Sequence, residues 1–434
     1  MKQVKIVANR GVKHYQFYKS SISKEMEIFK KGLNYMTGLK YTPAVEIEAR
    51  IVKFQDGLIQ LGFDAALITQ HTNLFYLSGT SQSSHLFVPA SGEPLLMVRK
   101  SFQRAKEESP IKDIINIGSI RKIPDVLKKA GFKTSGIIGM ELDVIPYNNC
   151  LFYQKIFSDY EIMDVSDLIK KLRLIKSPYE VGLLRGACGV IDAVFKETPC
   201  MLRQGMTEVE LASLFEAGMR RRGYGGNCRM RAFNQDFSFG NITSGKNGAI
   251  ATYFDGPVGG AGLTPANLPH GAGWKEIGLN EPIYIDYTCV VDGYTADETR
   301  MFVIGNISSD LKDAFMAALA IQDELVKMAV PGVECGELYE KAVSLAEGFG
   351  LAGHFMGMGS EGVRFVGHGV GLELDEWPIF AKGVKMKLEP GMTFAIEPKF
   401  VFSDGAIGIE NTFVMEKGGV QVLTHASQDI VSVS

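Results

Sequence analysis

The sequence predicts an α+β chain in which an alternating α/β domain precedes a second domain built on an internal repeat. Three observations carry that prediction. Strand-like and helix-like stretches alternate from about residue 46 to residue 172. A helix-start signal at Ser177 then breaks the alternation. Beyond it, two amphipathic stretches are related by a constant offset of 127, and each half of the region carries two strands around an Asp-Gly pair.

Residues 1–45 read as a basic, weakly patterned extension. The first domain spans 46–175. The helical "EIEARIVKFQDGLIQLG" leads into the apolar "DAALIT", followed by "SHLFVPASGEPLLMV", the helical "IPDVLKKAG" and the strand "SGIIGMELD". Strands interleaved with helices imply a mixed or parallel sheet. The second domain spans 176–434. Ser177 is placed to cap a helix, with Pro178 at its first position and Glu180 three residues after the cap, the pattern of a capping box. "GMTEVELASLFEAGMRRRG", from Gly205, and "GVECGELYEKAVSLAEGFG", from Gly332, form the repeat: Glu210 aligns with Glu337, Leu211 with Leu338 and Gly223 with Gly350. Both have apolar positions spaced three and four apart, and both end at glycine.

In "IDYTCVVDGYTADETR" the Asp292-Gly293 pair signals a hairpin, because tight hairpin turns need positive φ. Folding there sets Asp286 and Asp297 at roughly opposite positions on neighbouring strands. "MTFAIEPKFVFSDGAIGIENTFVM" reads the same way around Asp404-Gly405, with Glu397 and Glu410 nearly opposed. Between the hairpins, "FVGHGVGLELDEWP" sets His368 among glycines that allow close backbone approach. Four carboxylates and an imidazole on strands of one sheet require a compensating cation. Five ligands suit two divalent ions, since a carboxylate can bridge. Oxygen-rich ligation with one imidazole favours Mn²⁺ or Co²⁺, and Zn²⁺ or Fe²⁺ also fits. The residues alone thus describe a dinuclear metallohydrolase.

Composition excludes other classes. The charge balance of 46 basic against 49 acidic residues gives −3, which offers no attraction to nucleic acid or an anionic membrane. The chain has no 18-residue apolar run, and its N-terminus lacks a signal-peptide core. Six scattered cysteines contain no C-x-x-C pair and read as thiols, so the expected compartment is the cytoplasm.

Residues 178 to about 430 resemble the catalytic domain of the prolidase, aminopeptidase P and methionine aminopeptidase superfamily, with its duplicated pita-bread fold. The preceding segment, with "NLFYLSG" at 73–79, resembles the N-terminal domain of the creatinase and prolidase branch. The resemblance rests on the aspartates eleven apart, "GHGVG", "PGMTFAIEP" and "IGIEN". It implies that Asp297 and Glu410 bind both ions, that Asp286 completes one shell, and that His368 and Glu397 serve the other. Glu397 is also the implied handler of the nucleophilic water's proton, and a homodimer is the implied assembly.

Three positions depart from the family. Thr252, in "KNGAIATY", stands where peptidases carry a histidine; Asp375, in "GLELDEWP", replaces a second; Gly408 replaces an arginine. Those groups bind substrate carbonyls and stabilise a tetrahedral oxyanion. His270, in a Gly/Pro-rich loop, is a candidate replacement, and Asp375, Thr252 and Trp377 are candidates to line the substrate pocket. Arg300 is expected to neutralise nearby carboxylates. The implied function is an Xaa-Pro aminopeptidase or dipeptidase in which a hydroxide held between the metals attacks the amide. The alternatives are a creatinase- or ectoine-hydrolase-like enzyme, or a metal-assisted lyase, acting on a small non-peptide substrate, and a metal-binding relative without turnover.

Overall fold

The computed structural model describes residues 40–231, 233–234, 239–266 and 269–433. The extension expected over residues 1–45 lies outside the described residues up to residue 39.

Helix α1 (Ala44–Leu61) buries Ile47, Ile51, Phe54 and Leu58, spaced three and four apart, as the sequence pattern requires. Then follow β1 (Ala65–Ile68), α2 (His71–Ser78), β2 (Ser84–Pro89), β3 (Leu95–Val98), α3 (Phe102–Glu108) and β4 (Asp113–Asn116). After these come α4 (Ile123–Lys129), β5 (Gly136–Met140), α5 (Tyr147–Ile156), β6 (Tyr160–Asp164) and α6 (Ser166–Leu174). The six strands form one sheet in the order β4-β3-β2-β1-β5-β6. It is mixed: β2 runs antiparallel to both β1 and β3, and the other pairs are parallel.

The capping box forms as the sequence predicts. The Glu180 backbone N–H donates to Ser177 Oγ at 3.2 Å, and the Ser177 N–H donates to Glu180 Oε2 at 2.8 Å. It opens α7 (Pro178–Glu197), followed by α8 (Glu208–Arg220), β7 (Gly240–Ser244), β8 (Ile283–Val291) and β9 (Tyr294–Ile304). The second half has α9 (Ser309–Met328), α10 (Cys335–Gly348), β10 (Phe365–Val370), β11 (Leu374–Ala381) and β12 (Thr393–Ile396). It ends with β13 (Lys399–Phe402), β14 (Gly405–Gly408), β15 (Asn411–Glu416), β16 (Gly419–Val422) and β17 (Val431–Val433). The strands make a sheet β17-β9-β8-β7, a second sheet β11-β10-β12-β15-β16, and the ribbon β13-β14.

The internal repeat is structural. Helices α8 and α10 are the two repeated stretches, and each is preceded by an isolated antiparallel bridge, Thr207–Glu276 in one half and Glu334–Lys387 in the other. The acidic residues and His368, expected on one sheet, are divided between these two sheets, and a further bridge, Thr299–Glu410, joins the sheets where the carboxylates meet.

Both predicted hairpins form, with two corrections to register. Asp292 (φ 51°) and Gly293 (φ 89°) make a two-residue turn with both residues left-handed. That turn pairs Val291 with Tyr294, so Asp286 faces Thr299 and Asp297 faces Thr288. The aspartates are diagonal neighbours on one face rather than opposed. In the second hairpin Phe402 pairs with Gly405, so the turn residues are Ser403 and Asp404 rather than Asp404 and Gly405. Pro398 interrupts the ladder, which passes from Ile396–Asn411 to Lys399–Gly408 without losing register. Glu397 and Glu410 occupy the gap, across from each other.

The first domain is tied to the second by buried charge. The Arg50 guanidinium on α1 donates to the Tyr76 carbonyl at 3.0 Å and pairs with Glu180 at 3.3 Å, and Glu180 accepts from Tyr294 Oη at 2.7 Å. Arg173 on α6 binds Asn73 Oδ1 and Glu373 Oε2, each at 2.8 Å, and also Glu376.

Candidate metal centre

Each half of the second domain delivers its acidic residues to one small cleft of about 50 Å³. Asp286 comes from β8 and Asp297 from β9, while His368 sits on β10 between β11 and β12. Gly367 is needed beside His368, because a Cβ there would collide with the Ala395 carbonyl oxygen. Glu397 follows β12, and its N–H donates to the Val366 carbonyl at 3.0 Å. Glu410 precedes β15 and is pinned by Thr299, whose hydroxyl donates to Glu410 Oε2 at 2.8 Å. Arg300 lies behind this pair. It donates to the Glu410 backbone carbonyl at 2.7 Å and pairs with Glu298 at 2.6 Å, so it braces Glu410 through the backbone rather than through the carboxylate.

His368 Nε2 stands 3.7 Å from Asp297 Oδ2, 3.5 Å from Glu397 Oε1 and 3.8 Å from Glu410 Oε1. Ligand atoms of Asp297, His368 and Glu410 all lie within 4.8 Å of one another, and all three residues are buried. Among the described residues, Glu410 Oε1 has no hydrogen-bond partner. Burial and then the Glu410 charge push the Asp297 carboxyl far above the carboxylate range. Burial also pushes Glu410 up to about 8, against the pull of Lys399. Buried oxygens that repel one another around an imidazole fit a hard divalent cation, which would relieve both the repulsion and the unpartnered oxygen. Asp375 Oδ1 lies 3.3 Å from His368 Nδ1, and the Gly369 carbonyl oxygen is equally near. These acceptors hold Nδ1 and leave Nε2 for the centre, the usual arrangement behind a ligating histidine.

The other end of the cluster holds a residue that the sequence reading missed. Lys399, fully buried at the start of β13, donates from Nζ to Asp286 Oδ2 (2.9 Å), Glu397 Oε2 (2.6 Å) and Glu410 Oε2 (2.9 Å). Tyr284 Oη donates to the same Asp286 oxygen at 2.6 Å. Burial works against ionisation of Asp286, but the ammonium outweighs it and holds that carboxyl below its ordinary range. The centre is therefore electrically divided. Its Asp286 end is neutralised by Lys399, and its Asp297–His368 end is not.

The remaining sequence candidates divide as well. His270 lines the cleft beside Asp286 and Phe254, and burial lowers its pKa to about 4. Thr252 does not line the cleft; its hydroxyl lies 3.2 Å from His270 Nδ1, a position that supports the imidazole. The loop carrying Phe254 to Val258 is held by Asn241 Nδ2, which donates to the Val258 and Gly259 carbonyls at 2.8 Å. Trp377 is not brought to the cleft. The pairing of β10 with β11 is irregular around His368, and Trp377 falls in an adjoining groove that shares Leu374 and Asp375 with the cleft, with its ring 5.7 Å from Lys170 Nζ. Gly408 lies directly across the ladder from Lys399.

Known proteins place this arrangement in a family. Residues 182–417 match metallopeptidase family M24, and residues 50–175 match the Creatinase/Prolidase N-terminal domain. The chain belongs to metallopeptidase family M24 and is a metal-dependent hydrolase of pita-bread fold. It is 28% identical over 392 residues to the uncharacterized peptidase YqhT of Bacillus subtilis, covering 88% of this chain and 99% of that protein. It is 27% identical over 388 residues to an Xaa-Pro dipeptidase of Pyrococcus horikoshii, covering 88% and 97%. Among solved structures, the prolidase from Pyrococcus horikoshii superimposes with a TM-score of 0.74 at 25% identity, over 88% of this chain and 100% of that one.

Proposed function

We propose that the chain is an Xaa-Pro peptidase that hydrolyses dipeptides or short peptides with Mn²⁺ or Co²⁺ bound among Asp286, Asp297, His368, Glu397 and Glu410. The observation that carries this reading is the convergence of all five residues, from both halves of the repeat, on one cleft that also contains His270. The bound metal supplies Lewis-acid polarisation of the amide and activation of water. Glu397 faces His368 through Oε1, while its Oε2 is fixed by Lys399; it takes up the proton that the attacking water releases. His270, held at Nδ1 by Thr252, offers Nε2 to the carbonyl oxygen or the amide nitrogen, the task of the family histidine that Thr252 replaces. Residues 46–175 and 176–434 act as the two domains, and the functional unit is a homodimer. Among the described residues, no helix is long and apolar enough to cross a membrane.

One feature supports a second reading. With Gly at position 408 and Asp375 beside His368, the cleft lacks the arginine and second histidine with which family members hold a peptide, and this favours a small non-peptide amide. A single panel separates the two. Metal-free protein is loaded with Mn²⁺ or Co²⁺ and given Xaa-Pro dipeptides and tripeptides. Metal-dependent cleavage that disappears in Glu397→Ala is expected. Metal binding without cleavage of any peptide would overturn the peptidase reading.

A further inference from the structure

We infer that the Lys399 ammonium is a built-in replacement for one of the two cations, so that the chain binds a single divalent ion at Asp297, His368, Glu397 and Glu410. The inference deepens the metallopeptidase reading and rests on it.

A second ion at the Asp286 end needs Asp286 together with oxygens of Asp297 and Glu410. Of these, Asp286 and Glu410 each present one oxygen to Lys399 Nζ at 2.9 Å, and Glu397 adds a third oxygen at 2.6 Å. An ion at coordination distance from the same oxygens falls within van der Waals contact of the ammonium, and two cations do not share that space. The other oxygens point elsewhere. Glu397 Oε1, Glu410 Oε1 and Asp297 Oδ2 surround His368 Nε2 at 3.5 to 3.8 Å. Ligands bonded to one ion at about 2.0–2.2 Å stand roughly 3–3.6 Å apart, so a small inward adjustment closes this set on one ion. Glu410 Oε1, buried and without a partner among the described residues, points to the same position.

The lysine is also built into the fold. Lys399 pairs with Gly408 across the ribbon, and a Cβ at 408 would come 2.6 Å from Lys399 Cγ and 2.9 Å from its Cα. Glycine at 408 leaves the room through which the lysine stem reaches the centre. The side chain is 1% exposed, and its three oxygen partners match the three donors of an ammonium.

The test is metal stoichiometry, which does not depend on turnover. Metal-free full-length protein is equilibrated with excess Mn²⁺, separated from free ion and analysed by elemental mass spectrometry, with electron paramagnetic resonance on the same samples. The wild type is expected to hold one Mn²⁺ per chain with the spectrum of an isolated ion. Lys399→Met is expected to hold two, with the spectrum of an exchange-coupled pair. Lys399→Gln carries the same expectation if the Met variant fails to fold. Two ions or none in the wild type, or one ion in both, would overturn the inference. The peptidase reading fails separately, by the absence of peptide cleavage in protein shown to hold its metal.

Discussion

Replacing Lys399 by Met tests what holds the centre together before any metal arrives. Methionine fills most of the space of the lysine stem, so the loss is chiefly electrostatic. The ammonium touches two buried carboxylates, on Glu397 and Glu410, and a third, on Asp286, that is partly exposed. Removing one partner of a buried ion pair costs roughly 3–5 kcal/mol, because the other charge is left uncompensated. Here three carboxylates lose their cation together, so a loss near the top of that range is expected in chelator-treated protein. Metal should reverse the loss selectively. Both proteins gain from the ion at the His368 end, but only the variant has a vacated position for a second. An ion at a thousandfold excess over its dissociation constant contributes about 4 kcal/mol, enough to close most of the gap. The assay is urea unfolding followed by circular dichroism, with EDTA and then with Mn²⁺. A variant within about 1 kcal/mol of wild type in EDTA, or a deficit that Mn²⁺ leaves unchanged, would refute the reasoning.

Two further predictions concern the buried ion pairs of Glu376 and the part played by His270. Burial opposes ionisation of Glu376, yet Arg173 and Lys176 outweigh it and bring the carboxyl down to about 2 from an ordinary 4.5. A depressed carboxyl stabilises the fold fully above its unfolded pKa and loses that contribution as pH falls through the folded value, so roughly 3 kcal/mol should disappear between about pH 4.5 and pH 2. Arg173→Met should flatten that part of the urea-midpoint profile and lower stability at pH 7; an unchanged acid slope would contradict the assignment. His270→Ala should lower kcat/KM on the best substrate by about 10²–10³ while leaving Mn²⁺ content unchanged, the loss typical of a missing oxyanion donor. Equal activity would remove His270 from the reaction.

Much of the centre was legible in the sequence, because its signals are local. The Asp292-Gly293 pair fixes a two-residue turn, the capping box at Ser177 marks where the second domain's helices begin, and glycines around His368 signal close strand approach. The diagonal offset of Asp286 and Asp297 follows from counting outward from that turn, since pairing Val291 with Tyr294 sets every later partner. Lys399 was not legible as a functional residue. A lysine opening a strand after Pro398 reads as an exposed edge charge, and only the fold turns its long side chain inward. A signal existed in Gly408, whose cross-strand partner is Lys399. Trp377 misled for a related reason: its position close to Asp375 in sequence says nothing of the irregular pairing of β10 and β11 that sends it to another groove.

The most direct test of the central claim is the rate of Xaa-Pro dipeptide hydrolysis by metal-free protein as Mn²⁺ is added in sub-stoichiometric steps. A rate that rises from zero and reaches its plateau at about one equivalent per chain is predicted. A rate indifferent to Mn²⁺ would contradict the metal-dependent centre, and a plateau reached only at two equivalents would contradict the place given to Lys399.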